Sequence, residues 1–123
     1  MEFATALSCI DGRIQRPVND FLVAEFGVTH LDTVTRAGII KYLTASYDPA
    51  TTAIVLDLDA SVRAHSSKRL ALVAHHDCAG NPVDDDIQHR QLEDGVAHFR
   101  RRYPELDIVG VWVDPGMNPE IQV

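Results

Sequence analysis

The sequence predicts an α/β fold: a doubly wound, mostly parallel sheet of about four strands with helices on both faces. Three observations carry this expectation. Apolar or alternating runs at residues 2–8, 30–36, 69–74 and 106–113 are separated by segments whose apolar residues recur at helical spacing, the pattern of βαβ units with right-handed crossovers. The run Leu70-Ala71-Leu72-Val73 is continuously apolar, as in a strand covered on both faces. At 123 residues the chain is expected to form a single domain over residues 1–123, large enough to fold around its own core.

The elements follow in order. Residues 2–8 form a small and apolar first strand that stops at Cys9. Arg16-Pro17 opens a helix in which Val18, Phe21, Leu22 and Phe26 share a face, with Pro17 suited to the first turn and Gly27 to the C-terminal cap. Leu31, Thr33 and Thr35 alternate with Asp32 and Val34 in a second strand that ends at Ala37-Gly38, before a short helical patch at Ile39, Ile40 and Leu43. Asp48-Pro49 caps a further helix with Ile54, Val55, Leu58 and Val62 on one face, although residues 51–58 also hold enough β-branched side chains for a strand. After the third strand, Asp84 to Asp86 begin a helix carrying Ile87, Leu92, Val96 and Phe99 inward, and Arg100 to Arg102 close it, matching the helix dipole at both ends. Residues 106–113 make the last strand, and Pro115, Gly116 and Pro119 predict a loop for the tail.

Eighteen acidic against eleven basic residues give a net charge of −7, which repels phosphate backbones and anionic lipid, so neither nucleic acid nor a membrane is an expected partner. The opening MEFATALSCI has no signal-peptide pattern and no apolar run is long enough to span a bilayer, so a cytoplasmic protein is expected. In that reducing setting Cys9 and Cys78 read as free thiols, buried fillers or ligands, not as a disulfide.

The chemistry concentrates in two clusters, Cys9-Ile10-Asp11-Gly12-Arg13 and His75-His76-Asp77-Cys78, each following a strand. Thiolate and imidazole ligands suit Zn2+, and three protein ligands leave a fourth tetrahedral position for water. Ligands in doubly wound sheets bind beyond the carboxyl ends of the strands where strand order reverses, commonly between the first and third. Cys9 ends the first and His75 the third, so the topology predicts that the clusters meet. Asp11 can then accept the proton of a metal-bound hydroxide, with Arg13 holding Asp11 ionised through a bidentate pair; Asp11 could instead swing onto the metal and close it.

The two clusters resemble the signatures of the β-class carbonic anhydrases, Cys-x-Asp-Ser/Ala-Arg after the first strand and Gly-His-Ser/Thr-x-Cys-Gly after a later one, with Gly12 and Ala74 as departures. The resemblance implies Cys9, His75 and Cys78 as zinc ligands and Asp11 with Arg13 as the dyad beside the metal. It also implies hydration of carbon dioxide to bicarbonate through a metal-bound hydroxide and a homodimer or higher homo-oligomer. Arg36-Ala37-Gly38 resembles a contracted form of the family's Arg-Asn-Ala-Gly segment. The chain starts eight residues before Cys9, so a minimal or divergent member without the family's N-terminal helical arm is expected.

Other readings compete. Either cysteine alone reads better as a buried inert thiol, and Asp11 with Arg13 alone as a surface ion pair. The same fold could serve as a non-catalytic zinc-binding or sensing domain, or hydrolyse a carbon-sulfur analogue such as carbonyl sulfide. His76 could be a turn residue, an alternative ligand to His75, or a proton shuttle; His30, His65, His89 and His98 read as ordinary surface or helix residues. Asp57-Leu58-Asp59 resembles the opening motif of haloacid-dehalogenase-type phosphatases, with Asp84 to Asp86 as mimics of their magnesium-binding acids, but exposed acids on an amphipathic helix explain these residues better. A cysteine phosphatase needs arginine six positions after its nucleophile, where this chain has Gln15 and Asp84, so that class is excluded.

Overall fold

The computed structural model describes residues 2–45 and 48–123. The strands are β1 (Phe3–Ser8), β2 (His30–Thr35), β3 (Arg69–His75), β4 (Asp107–Val113) and β5 (Pro119–Ile121); the helices are α1 (Gln15–Phe26), α2 (Pro49–His65) and α3 (Asp85–Arg102), with a 3-10 turn at Ile39–Tyr42. The sheet order is β2-β1-β3-β4-β5, parallel throughout except for the β4–β5 pair. Strand order therefore reverses between β1 and β3.

Alternation along the strands divides the core into two layers. Leu7, Leu70, Leu72, Ala74, Ile108 and Trp112 face α2, α3 and the 3-10 turn, where they meet Ile54, Leu58, Leu92, Val96 and Phe99. Ala4, Ala6, Ala71, Val73, Val111 and Val113 face α1 and its Val18, Leu22 and Phe26. β3 is buried on both faces as its unbroken apolar run predicts, whereas β2 at the sheet margin keeps the alternating, half-exposed character of its sequence.

Local signals explain the helix boundaries. The Asp84 carboxylate caps α3 by accepting from Ile87 N–H at 2.9 Å, Asp85 and Asp86 fill its first turn, and Arg100 to Arg102 its last. The Asp48 carboxylate accepts from Ala50 N–H at 2.8 Å at the start of α2, which resolves residues 51–58 as helix, not strand. Gly27 ends α1 in the left-handed conformation. No helix among the described residues is long and apolar enough to cross a membrane.

The tail is the correction. The sequence reading makes it a loop and counts about four strands, but Pro119–Ile121 pairs antiparallel with β4 as a fifth. The Asp114 side chain accepts from the N–H groups of Gly116 and Asn118, both at 2.9 Å, and reverses the chain. Pro119 is tolerated because it sits at the first position of a marginal strand, where a missing N–H costs the ladder little.

Candidate metal centre

The site lies at the carboxyl ends of β1 and β3. β1 delivers Cys9 just past its last residue, β3 ends in His75, and the following turn presents Cys78. Their ligand atoms all lie within 4.8 Å of one another, and the three residues are buried, at 5%, 1% and 4% exposure. The two Sγ atoms are 3.8 Å apart. His76 falls outside this group of three, and its Nδ1 faces the Asp85 carboxylate at 2.9 Å.

The chemistry of this donor set fits a metal. His75 Nδ1 lies 2.8 Å from the carbonyl oxygen of His76, which assigns the ring proton to Nδ1, and Nε2 is then a buried lone pair with no partner. An orphaned buried nitrogen facing two thiols is costly unless an ion takes it up. Burial pushes the Cys9 thiol up, but the His75 imidazole and the N–H groups of Gly38 and Asp11 outweigh it and bring it down to about 6. Burial and the neighbouring Cys9 push Cys78 up. For His75, burial works against protonation, but Cys9 and the His76 carbonyl prevail and raise it. Two thiolates and one neutral imidazole would balance a divalent ion without excess charge.

Asp11 and Arg13 pair with each other in the turn that follows Cys9. Arg13 donates from Nε and Nη2 to Asp11 at 3.1 and 2.7 Å, and its backbone N–H adds a bond of 2.9 Å to Oδ1. The guanidinium holds the Asp11 carboxyl down at about 2.

Four further residues shape the site. Arg13 also donates to the Asp77 carbonyl at 3.1 Å, and Asp77 adopts a positive φ of 57° in the turn between His75 and Cys78. Gln15 Nε2 donates to the carbonyls of Cys9 and Asp11 at 2.8 and 2.7 Å. Gly38, at φ +61°, donates its N–H to Cys9 Sγ at 3.4 Å and lies so close to Gly80 that a Cβ would fall 2.3 Å from the Gly80 carbonyl oxygen. Lys41 Nζ donates to that same oxygen at 2.7 Å. The sequence signal for Gly38 was the Arg36-Ala37-Gly38 segment; nothing in the sequence marks Gln15 or Lys41.

Among the described residues the competing constellations do not assemble. Asp57 and Asp59 lie inside α2 and not at a strand end, and Asp59 accepts from the Tyr103 hydroxyl at 2.9 Å. His65 lies 2.6 Å from Asp32 and stacks on Phe3, and His89 packs against Trp112.

A family model described as "Putative carbonic anhydrase" matches residues 1–123. Among solved structures, one of two tetrameric β-carbonic anhydrases from the filamentous ascomycete Sordaria macrospora superposes with a TM-score of 0.64 at 15% identity, covering 98% of this chain and 79% of that one. A point mutant of the β-carbonic anhydrase CafD from the filamentous fungus Aspergillus fumigatus gives 0.67 at 9% identity, covering 100% and 90%. The search of curated proteins finds no match.

Proposed function

This chain belongs to the carbonic anhydrase family whose model spans it, and on that premise we propose that it is a zinc-dependent lyase interconverting carbon dioxide and bicarbonate. The observation that carries the proposal is the convergence of Cys9, His75 and Cys78 with an unpartnered His75 Nε2 among them. Those three residues would hold the ion. Zinc, when bound, supplies Lewis acidity that makes a water nucleophilic near neutral pH.

The chain's own residues do the rest. The Asp11 carboxylate, ionised through Arg13, is an acceptor for the proton of the attacking oxygen and so orients a lone pair toward the substrate carbon. Arg13 keeps Asp11 turned toward the guanidinium. His76, adjacent in sequence to His75 and half-exposed next to Asp85, would pass the released proton to solvent. Assembly of identical chains is part of the same proposal and is supported by the tetrameric state named for the Sordaria enzymes.

Stopped-flow hydration of carbon dioxide by zinc-loaded protein tests the reading, with a rate well above buffer expected. Stoichiometric zinc without turnover would transfer the chain to the non-catalytic zinc-binding class, and turnover of carbonyl sulfide alone would change the substrate.

A further inference from the structure

Between the buried Cys9 and the buried Ile14, the loop that carries Asp11 has little packing of its own. Ile10 points to solvent at 58% exposure, and a Cβ built on Gly12 would meet nothing within 4 Å. Within the backbone, the Asp11 carbonyl accepts a long bond of 3.3 Å from Ile14 N–H. The side chain of Gln15, the first residue of α1, supplies what packing does not. A primary amide nitrogen carries two hydrogens, and here both reach the loop, at 2.8 Å to the Cys9 carbonyl and 2.7 Å to the Asp11 carbonyl. The opposite amide orientation would set oxygen against two carbonyl oxygens, so the hydrogen-bond pattern itself assigns the flip.

We propose that Gln15 is a positioning residue of the metal centre. By tying the carbonyls on either side of Ile10 to the first turn of α1, it fixes the backbone from which the Cys9 thiol and the Asp11 carboxylate project. Arg13 acts on the Asp11 side chain; Gln15 acts on the main chain beneath both groups, and a rigid element carries the restraint because α1 is packed through Val18, Leu22 and Phe26. Groups that orient metal ligands without touching the ion commonly set affinity by ten- to a hundredfold. The inference rests on Cys9, His75 and Cys78 being the ligands, and not on the identity of the substrate.

Zinc affinity of the full chain, measured by chelator competition with zinc as the only probe, tests it in Gln15→Met, Gln15→Glu and Gln15→Lys. Met keeps the length and removes the donors, Glu keeps the shape and offers oxygens to the two carbonyls, and Lys keeps N–H donors. The expected pattern is a loss of about tenfold or more for Met and Glu, with Lys within about threefold of the parent. Equal affinity in all four proteins overturns the proposal, and so does a Lys variant as weak as Met, since packing and not donation would then hold the loop. If the Met variant fails to fold, the contrast between Glu and Lys decides the same question. Failure of the metal reading itself would show separately, as zinc retained in Cys9→Ser.

Discussion

Arg13 donates through Nη2 to the backbone carbonyl of Asp77 at 3.1 Å while the same nitrogen holds Asp11 at 2.7 Å. One guanidinium thus joins the turn after β1 to the turn between His75 and Cys78, two segments that supply all three candidate ligands. The planar fork matters, because a lysine ammonium cannot make the paired contact with the carboxylate and also reach the carbonyl in a fixed geometry.

Replacing Arg13 with Met is therefore expected to raise the Asp11 pKa from about 2 toward the ordinary carboxylate value near 3.9. The folded value lies below the unfolded one, so this ion pair contributes above the ordinary pKa and is lost as pH falls through about 2. In the variant the ion pair is absent, and this pH-dependent contribution is absent with it. Carbon-13 titration of the Asp11 carboxyl checks this, and an unmoved titration would mean that the guanidinium is not what holds the carboxylate down. Hydration by the variant should fall at least about tenfold with zinc retained.

Gly38→Ala tests the close approach of the two turns. The added methyl would enter a left-handed conformation at φ +61° and lie 2.3 Å from the Gly80 carbonyl oxygen, so the backbone must move. A loss of about 2–4 kcal/mol is expected, seen as a fall in Tm of roughly 10 °C. Calorimetry showing an unchanged Tm would mean that the contact between Gly38 and Gly80 relaxes freely.

Metal binding should be coupled to proton release. Cys78 is raised above its ordinary value, so it is protonated in the metal-free protein at neutral pH and must lose that proton to bind. Cys9, at about 6, is largely ionised there and adds to the release only as pH falls toward and below that value, whereas His75, raised above its ordinary value, adds a further proton because only the neutral imidazole binds. Zinc affinity is thus expected to fall with falling pH, and more steeply below about pH 6. Calorimetric titrations in buffers of different ionisation enthalpy count the protons; none released at neutral pH would contradict the thiol assignments.

His76→Ala should lower turnover about tenfold at low buffer concentration and recover when imidazole is added, if its place beside the ligands and Asp85 reflects a proton path. Turnover that is unchanged at low buffer would leave His76 as a turn residue that anchors α3 through Asp85.

Much of this arrangement is legible in the sequence because it follows from period and position. The continuous run through Leu72 marks a central strand, the acids at Asp84 to Asp86 mark a helix start, and a strand-end cysteine becomes a neighbour of a strand-end histidine, with Cys78 in the turn after it, once β1 and β3 pair. The fifth strand escaped because prolines read as breakers when the partner strand and its margin are unknown. Gln15 and Lys41 escaped for a different reason: each acts by donating to backbone carbonyls, at 2.8 and 2.7 Å for Gln15 and 2.7 Å for Lys41, and carbonyls carry no residue-specific signal. Asp77 became significant through its carbonyl and its backbone angle, which the residue name only permits.

The central claim is that Cys9, His75 and Cys78 bind one zinc ion together. Elemental analysis of the purified chain beside Cys9→Ser and Cys78→Ser tests it most directly. About one zinc per chain in the parent and almost none in either variant is the predicted result; a zinc-free parent prepared with zinc in excess, or variants that keep the metal in full, would contradict it.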